Sequence, residues 1–427
     1  MPAQIRQTAM EETIRYILSF LCRSEELADM VGYTSDKSEW GKYKVIILPS
    51  GFFTAGEYLQ PSSMPAAPLK KLNGTPILFG SPVIRRDKQT IIEADLIASA
   101  YFILCRYEEC VNPRRDYLGR FLAEHSILSQ YTNRCLVEEY GNILLSELKN
   151  CGIETNETAP QLKLIMTHDA DKIEQYRNIR GFMGGLSRGQ ILPALKSAFG
   201  RIEYDPLFTF PYMKEQEQKA GIKDMLFVKT GGNRLLQDKP CYDPALRDMQ
   251  KMMGLYDHIG LHLSMEAGQN MHEAAWEKEK LEKALGRRIT DNRNHYLASL
   301  HPADMLGLSS IGITDDYTMG YPDRAGFRLG TCRPVRFINP ANCKLSDIVM
   351  HPLVIMDRSL ESKQYMNLDY GQAYGLCKQL HAEACKYGGE FIMLWHNNSV
   401  SELDKTYLKK LYENILSEDF LSSKASE

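Results

Sequence analysis

The sequence predicts an α/β protein: a parallel sheet under helical cover, able to close as a barrel, preceded by a smaller α/β unit. Three observations carry this expectation. Short apolar segments alternate with helix-length stretches beyond residue 160, the pattern of strands joined by crossover helices. Polar clusters rich in Asp, His and Arg follow several of those segments, at the end where such sheets place their sites. A chain of 427 residues, 44% hydrophobic and 25% charged, can bury a substantial core and form two domains.

In order along the chain, Tyr43 to Leu48 reads as a strand ending at Pro49, and Pro76 to Phe79 as another. Ala94 to Tyr107 carries apolar residues without a breaker and suits a buried helix; Cys135 to Leu148 suits a second. The polar stretch Glu154 to Pro160 precedes a strongly apolar strand and is the expected domain boundary, giving units 1–155 and 156–427. Beyond it, Leu162 to Asp169, Ile259 to Leu263, Ile311 to Thr314, Leu353 to Met356 and Phe391 to Trp395 are strand candidates. Met271 to Leu285 reads as an amphipathic helix with Gly286 as its C-cap; Leu368 to Tyr387 and Glu402 to Leu416 read as two more.

A formal net charge of -3 gives no general attraction for nucleic acid or anionic lipid, though local basic patches remain open. Ten cysteines without a CxxC spacing read as scattered, reduced residues. Met1 to Arg15 is polar, includes Glu11 and Glu12, and does not resemble a signal peptide; Ile14 to Cys22 is apolar but too short to span a bilayer. A cytoplasmic protein without stable membrane insertion is expected. Oligomeric state is not legible.

The chemistry concentrates in six segments. Leu162 to Asp171 is an apolar strand ending in Asp169 and Asp171, two apart and therefore aimed to one side. Two facing carboxylates repel unless a cation, a proton or an arginine compensates. His262 ends the Ile259–Leu263 strand, and imidazole with carboxylates suits a divalent cation such as zinc. In Asn292-Arg293-Asn294-His295-Tyr296, Arg293 can hold Asp169 ionised or clamp an oxyanion, while His295 can be ligand, substrate contact or surface residue. Acidic Thr314-Asp315-Asp316-Tyr317 and the glycine-punctuated Gly326 to Pro334, with Arg328, follow; the latter lacks the Lys-Ser/Thr ending of a phosphate loop. His396 ends the last apolar strand, after Trp395. HExxH and GxGxxG are missing, and the GxSxG match Gly185-Leu186-Ser187-Arg188-Gly189 does not follow an apolar strand as a nucleophile elbow does, which removes the usual support for serine hydrolase, zincin and Rossmann readings.

Arg106-Tyr107-Glu108-Glu109, Asp116 to Phe121, Thr167 to Asp171, Gly260 to Ser264, Arg293 to Leu297 and Gly326 to Cys332 together resemble the polysaccharide deacetylase superfamily. The resemblance is to its NodB-homology, carbohydrate esterase family 4 branch, in the bacterial subgroup with an N-terminal domain of unknown function. It implies a distorted (β/α)7 barrel with a divalent metal, expected to be Zn2+, at its mouth. It also implies Asp169 as base, Asp171 and His262 as metal ligands, Arg293 as the residue orienting the acid, and His396 as general acid. The family's second metal histidine is replaced by Glu266, so Glu266 or His295 completes the expected set. Arg328, Tyr317 and Trp395 are the expected substrate contacts. The expected function is metal-dependent removal of an N-acetyl or related acyl group from a carbohydrate or glycan precursor. The alternative is an impaired, deacetylase-like carbohydrate-binding or assembly protein.

Overall fold

The computed structural model describes residues 3–54, 56–155, 160–232 and 235–422, with side chains from Thr8 onward. The expected boundary at Glu154–Pro160 lies largely outside the described residues. Among them, the architecture is mixed α/β, with small N-terminal sheets and one large curled sheet.

The N-terminal part opens with helix Ala3–Cys22, whose apolar end supplies Ile17 and Leu21 to the core. Strands β1 (Val31–Tyr33), β2 (Val45–Ile47), β5 (Gly80–Arg86) and β6 (Thr90–Ala94) form a sheet ordered β1-β2-β6-β5. A separate ribbon pairs β3 (Lys70–Leu72) with β4 (Thr75–Ile77). The predicted Ala94–Tyr107 helix is shorter, Leu96–Leu104, capped by the Asp95 carboxylate accepting the Ala98 N–H. Arg106 then takes a left-handed conformation (φ 59°), and a second short helix, Tyr107–Val111, sets off in a new direction.

The large sheet comprises β7 (Leu162–Ala170), β8 (Lys223–Val228), β9 (Ile259–Leu263), β10 (Asp291–Asn294), β11 (Asp315–Asp316), β12 (Val335–Asn339), β13 (Lys344–Met350), β14 (Leu353–Met356) and β15 (Gly389–Leu394). Its order is β12-β13-β11-β10-β9-β8-β7-β15-β14. Neighbours are parallel except for the β12–β13 hairpin. β13 and β14 are one run of chain broken at His351-Pro352. Its first half pairs with β11 and its second with β15, while the Leu353 N–H reaches the Met319 carbonyl at 3.1 Å. The sheet thereby curls back on itself, with β12 as an added flap.

His351 sits on this seam. One ring nitrogen lies 2.9 Å from Asp315 on β11, the other 2.6 Å from Glu390 on β15, and the ring stacks on Tyr317. Burial pulls this imidazole down, but the two carboxylates outweigh it and lift its pKa to about 9. A raised histidine pKa stabilises fully below its ordinary value near 6.5, and that contribution fades as pH rises through about 9. Its size is on the order of 3 kcal/mol. His351→Gln should therefore lower the urea midpoint strongly near pH 6 and hardly at all near pH ~10. A variant penalty independent of pH would refute this account.

Helices fall largely where periodicity put them. Met271–Leu285 matches the expected span and ends at Gly286 in the left-handed region (φ 67°). Leu136–Asn150, Tyr370–Cys385 and Leu408–Ile415 differ at their ends. Ile311–Thr314, expected as a strand, is the turn after helix Met305–Ser310; Ile313 packs into the core and the strand is the acidic pair that follows.

The N-terminal part shares one hydrophobic core with the large sheet, joining Leu21, Ile97 and Tyr101 to Val335, Phe337 and Leu345. Hydrogen bonds from the Thr13 hydroxyl to the Cys343 carbonyl (2.6 Å) and from Tyr58 to the Pro340 carbonyl (2.6 Å) fasten it to the β12–β13 hairpin. Gly326 (φ 147°) lies so close to Thr132 that any Cβ there would run into its carbonyl. No described helix is long and apolar enough to cross a membrane.

Candidate metal centre

The parallel strands end on one side, and that side collects the acids and histidines. β7 delivers Asp169 as its penultimate residue and Asp171 just beyond its end. β9 delivers His262, β10 is followed at once by His295, and β15 by His396. Asp171 Oδ1 lies 3.1 Å from His262 Nε2 and 3.3 Å from His295 Nε2. The donor atoms of these three residues all lie within 4.8 Å of one another.

The ring tautomers suit a cation. His262 Nδ1 donates to the Arg293 carbonyl at 3.0 Å, and His295 Nδ1 faces the Asp238 carboxylate at 2.7 Å. Both Nε2 lone pairs are therefore turned toward Asp171. Asp238 is itself fixed by the backbone N–H groups of Met265 and Glu266. Burial lowers the His295 pKa despite Asp171 and Asp238, which keeps the ring in its ligating, neutral form. Asp171 is held well below the usual carboxylate range; burial opposes this, and His295, His262 and Lys229 outweigh it. Asp171 Oδ1 and His262 Nε2 are buried without a hydrogen bond among the described residues. Such orphaned atoms are costly unless a further group takes them up. For bonds of about 2.0–2.1 Å, neighbouring ligands of a tetrahedral ion stand about 3.3–3.4 Å apart. The donor set fits a divalent metal ion.

Around the cluster stand Asp169, Arg293 and His396. Asp169 Oδ2 is 3.7 Å from His262 Nε2, and Arg293 Nη1 donates to Asp169 Oδ1 at 3.1 Å and to the Thr167 hydroxyl at 2.8 Å. The guanidinium is wholly buried and lies over the Phe227 ring at 4.5 Å. His396 Nδ1 faces Asp357 Oδ1 at 2.7 Å, its backbone N–H donates to the same carboxylate at 2.9 Å, and Nε2 stands 3.7 Å from Asp171 Oδ2. Burial pulls the His396 pKa down, but the charge of Asp357, with help from Asp171 and Asp169, lifts it to about 9.

Four expected site residues are placed elsewhere. Glu266 lies outside the donor cluster: the chain leaves β9 at Ser264, and Glu266 takes helical angles (φ -59°, ψ -48°) heading the turn Ala267–Gln269. Trp395 is fully buried on the helix-facing side, its ring 5.8 Å from Tyr412, because strand alternation turns it away from the side His396 faces. Tyr317 packs inside the barrel on His351 and Phe227. Arg328 is buried and donates to Glu109 at 2.7 Å and to the Gly320 carbonyl at 2.8 Å. The latter three are all buried, with their side chains packed or hydrogen-bonded inside the protein.

Four residues escaped the sequence reading. Lys229, almost wholly buried at the end of β8, brings Nζ to 3.7 Å from Asp171. Asp238 and Asp357 orient the two outer histidines; Asp238 follows no apolar strand, whereas Asp357 directly follows the apolar strand Leu353–Met356, a signal the pattern did offer. Tyr296 is bulky yet left-handed (φ 59°), exposed, and lies over His295 with ring centroids 4.1 Å apart. The apolar run before Lys229 was the available signal for β8.

Comparison with known proteins adds little beyond this. The model of a family of unknown function, DUF7033, matches residues 3–152. Among curated proteins none matches the chain. A crystal structure from Mycobacterium smegmatis, named as a candidate polysaccharide deacetylase, is similar at 12% identity and a TM-score of 0.39. That similarity covers 63% of this chain and 88% of that one.

Proposed function

We propose that the chain is a metal-dependent hydrolase that removes an N-acetyl or related acyl group from a carbohydrate or glycan precursor. The observation carrying this reading is the convergence of Asp171, His262 and His295, with Asp171 Oδ1 at tetrahedral ligand distance from both imidazoles and Asp171 Oδ1 and His262 Nε2 left without hydrogen bonds among the described residues. Two imidazoles and one carboxylate favour zinc among divalent ions, and three protein ligands leave a position for water or substrate. A cation bound there supplies carbonyl polarisation and a water of lowered pKa.

The chain's own groups divide the proton work. Asp169, with one oxygen fixed by Arg293, presents its other oxygen toward the ligand cluster and takes a proton from attacking water. His396, paired with Asp357 and carrying its proton near neutral pH, gives one to the departing amine from Nε2. Arg293 is a positioning residue. Tyr296 offers an exposed ring at the rim against which a sugar face can pack.

The test is metal content after purification without chelator, then acetate release from N-acetylated oligosaccharides. About one zinc per chain and release abolished by chelation are expected. No metal uptake, or metal without release from any N-acetylated glycan, would leave the carbohydrate-binding reading instead.

A further inference from the structure

Just beyond Asp171, the chain leaves the mouth of the barrel and builds two helices, Ile179–Ser187 and Ile191–Phe199, folded against each other. Their outer surface is unusual for a soluble protein. Ile179, Phe199, Leu192, Met183, Ile191 and Leu195 are 85%, 81%, 69%, 57%, 52% and 39% exposed. Large apolar side chains at this density mark a contact surface. From Gln175 to Ile202 the sequence holds five basic residues and no acidic one, in a chain of net charge -3. Arg177 is paired with Asp248, but Arg180, Arg188, Lys196 and Arg201 are exposed.

The hairpin is anchored. Tyr176 is buried beneath it against Gly185, and its hydroxyl donates to Gln190 at 2.6 Å. Asp205 accepts the backbone N–H groups of Gln175 and Tyr176 at 2.8 and 3.0 Å and the Ser197 hydroxyl at 2.5 Å. Phe182 meets Phe199 edge-on at 6.0 Å. Small residues, Gly185, Ala194 and Ser197, face inward, so the large apolar ones have no place in this fold except outward.

We infer that this hairpin docks the protein on an anionic lipid surface. An amphipathic helix that lies in a bilayer interface needs an apolar face and Lys/Arg on its flanks, and each helix has both. A protein partner would accept the apolar side chains and the arginines too, but would not call for a segment with no acidic residue, which an anionic surface does. Nucleic acid would use the basic residues but leave the aliphatic ones in water. Docking by this hairpin brings the barrel mouth to the headgroup layer. The inference does not depend on the hydrolase reading, because neither helix supplies a residue of the metal centre.

The test is co-sedimentation of the full chain with vesicles of phosphatidylglycerol and phosphatidylcholine, and with phosphatidylcholine alone. Binding to the anionic vesicles that weakens with salt is expected, with at least a tenfold loss for Ile191→Ser/Leu192→Ser/Phe199→Ser and for Arg180→Ser/Arg188→Ser/Lys196→Ser. Except for Phe199, whose ring meets Phe182, and Arg188, whose guanidinium lies beside Gly184 and Tyr176, the substituted side chains lie in solvent, and circular dichroism checks that both variants fold. Failure of the wild type to sediment with anionic vesicles would overturn the inference, as would equal binding by wild type and variants. So would a wild-type dimer that the apolar variant converts to monomer without vesicle binding, or binding to a single-stranded oligonucleotide but not to vesicles.

Discussion

Asp171→Ala is expected to abolish stoichiometric metal binding and all turnover, whereas Asp169→Asn keeps the metal and loses turnover. The two carboxylates are two residues apart, yet their surroundings assign them different work. Asp171 is the one residue whose oxygen stands 3.1 and 3.3 Å from both histidines, so its loss leaves two imidazoles and the Lys229 ammonium facing one point. Two neutral ligands beside a buried positive charge hold a dication poorly. Asp169 touches only the edge of the cluster, at 3.7 Å from His262, and is tied to Arg293. Removing its basicity should cost about 10²–10⁴-fold in kcat, the usual range for a general base. Metal content by elemental analysis and acetate release on the same preparations separate the two roles. Equal metal loss in both variants would refute the division. Asp238→Asn supplies a graded control: it removes the partner of His295, not a ligand, and should weaken metal affinity about 10–100-fold.

Glu109→Ala is expected to destabilise the whole chain by about 3–5 kcal/mol, the penalty for leaving buried charge unpaired. Glu109 accepts from Arg106 Nε at 3.0 Å and from Arg328 Nη2 at 2.7 Å, and all three residues are buried. Burial pushes the Glu109 carboxyl up, but the two guanidinium charges outweigh it and bring its pKa to about 2. Arg106 also donates to the Ser299 hydroxyl and carbonyl at 2.7 and 2.9 Å. One carboxylate thus knots the short helix Tyr107–Val111, the loop after His295 and the loop carrying Arg328. Urea unfolding measures the effect, and a loss under 1 kcal/mol would mean that water replaces the carboxylate. The mixed-charge segment around Arg106 reads more simply as a solvated helix end. Burial of Arg106, Glu109 and Arg328 together decides for an internal network.

Strands with apolar periodicity were legible: β7, β9 and β15 are runs of aliphatic residues ending in Asp or His, and all three carry site residues. Others were not. β10 reads Asp-Asn-Arg-Asn, which no pattern identifies as a strand, yet Asn292 and Arg293 are wholly buried in it. The Asn292 amide donates to Asp316 and Asn294, and Arg293 donates through Nε and Nη1 to the Tyr317 carbonyl, Thr167 and Asp169, while Asn292 Oδ1 and Arg293 Nη2 have no hydrogen bond among the described residues. Apart from Asn294, which is on β10 itself, those partners lie on β7, on β11 and just past the end of β11. A buried polar strand is stable only when neighbours supply hydrogen bonds, and those neighbours are remote in sequence.

Local patterning therefore determined the α/β class, the order of the main apolar strands and most helices, and the residue types that face the mouth. Those features depend on side-chain alternation and helical period, which are properties of neighbours in the chain. Tertiary structure alone decided which third donor joins Asp171 and His262 in a cluster able to hold a metal ion. Spacing within one motif offers Glu266, but the turn after β9 carries it away, and a parallel register that pairs Arg293 with His262 brings His295 in from the adjacent strand. It also placed Trp395 and Tyr317 in packed interiors and Arg328 on Glu109, and brought Lys229, Asp238 and Asp357 up to the cluster. Such assignments depend on which strands lie side by side, and strand register is set by long-range pairing that no local stretch of sequence encodes.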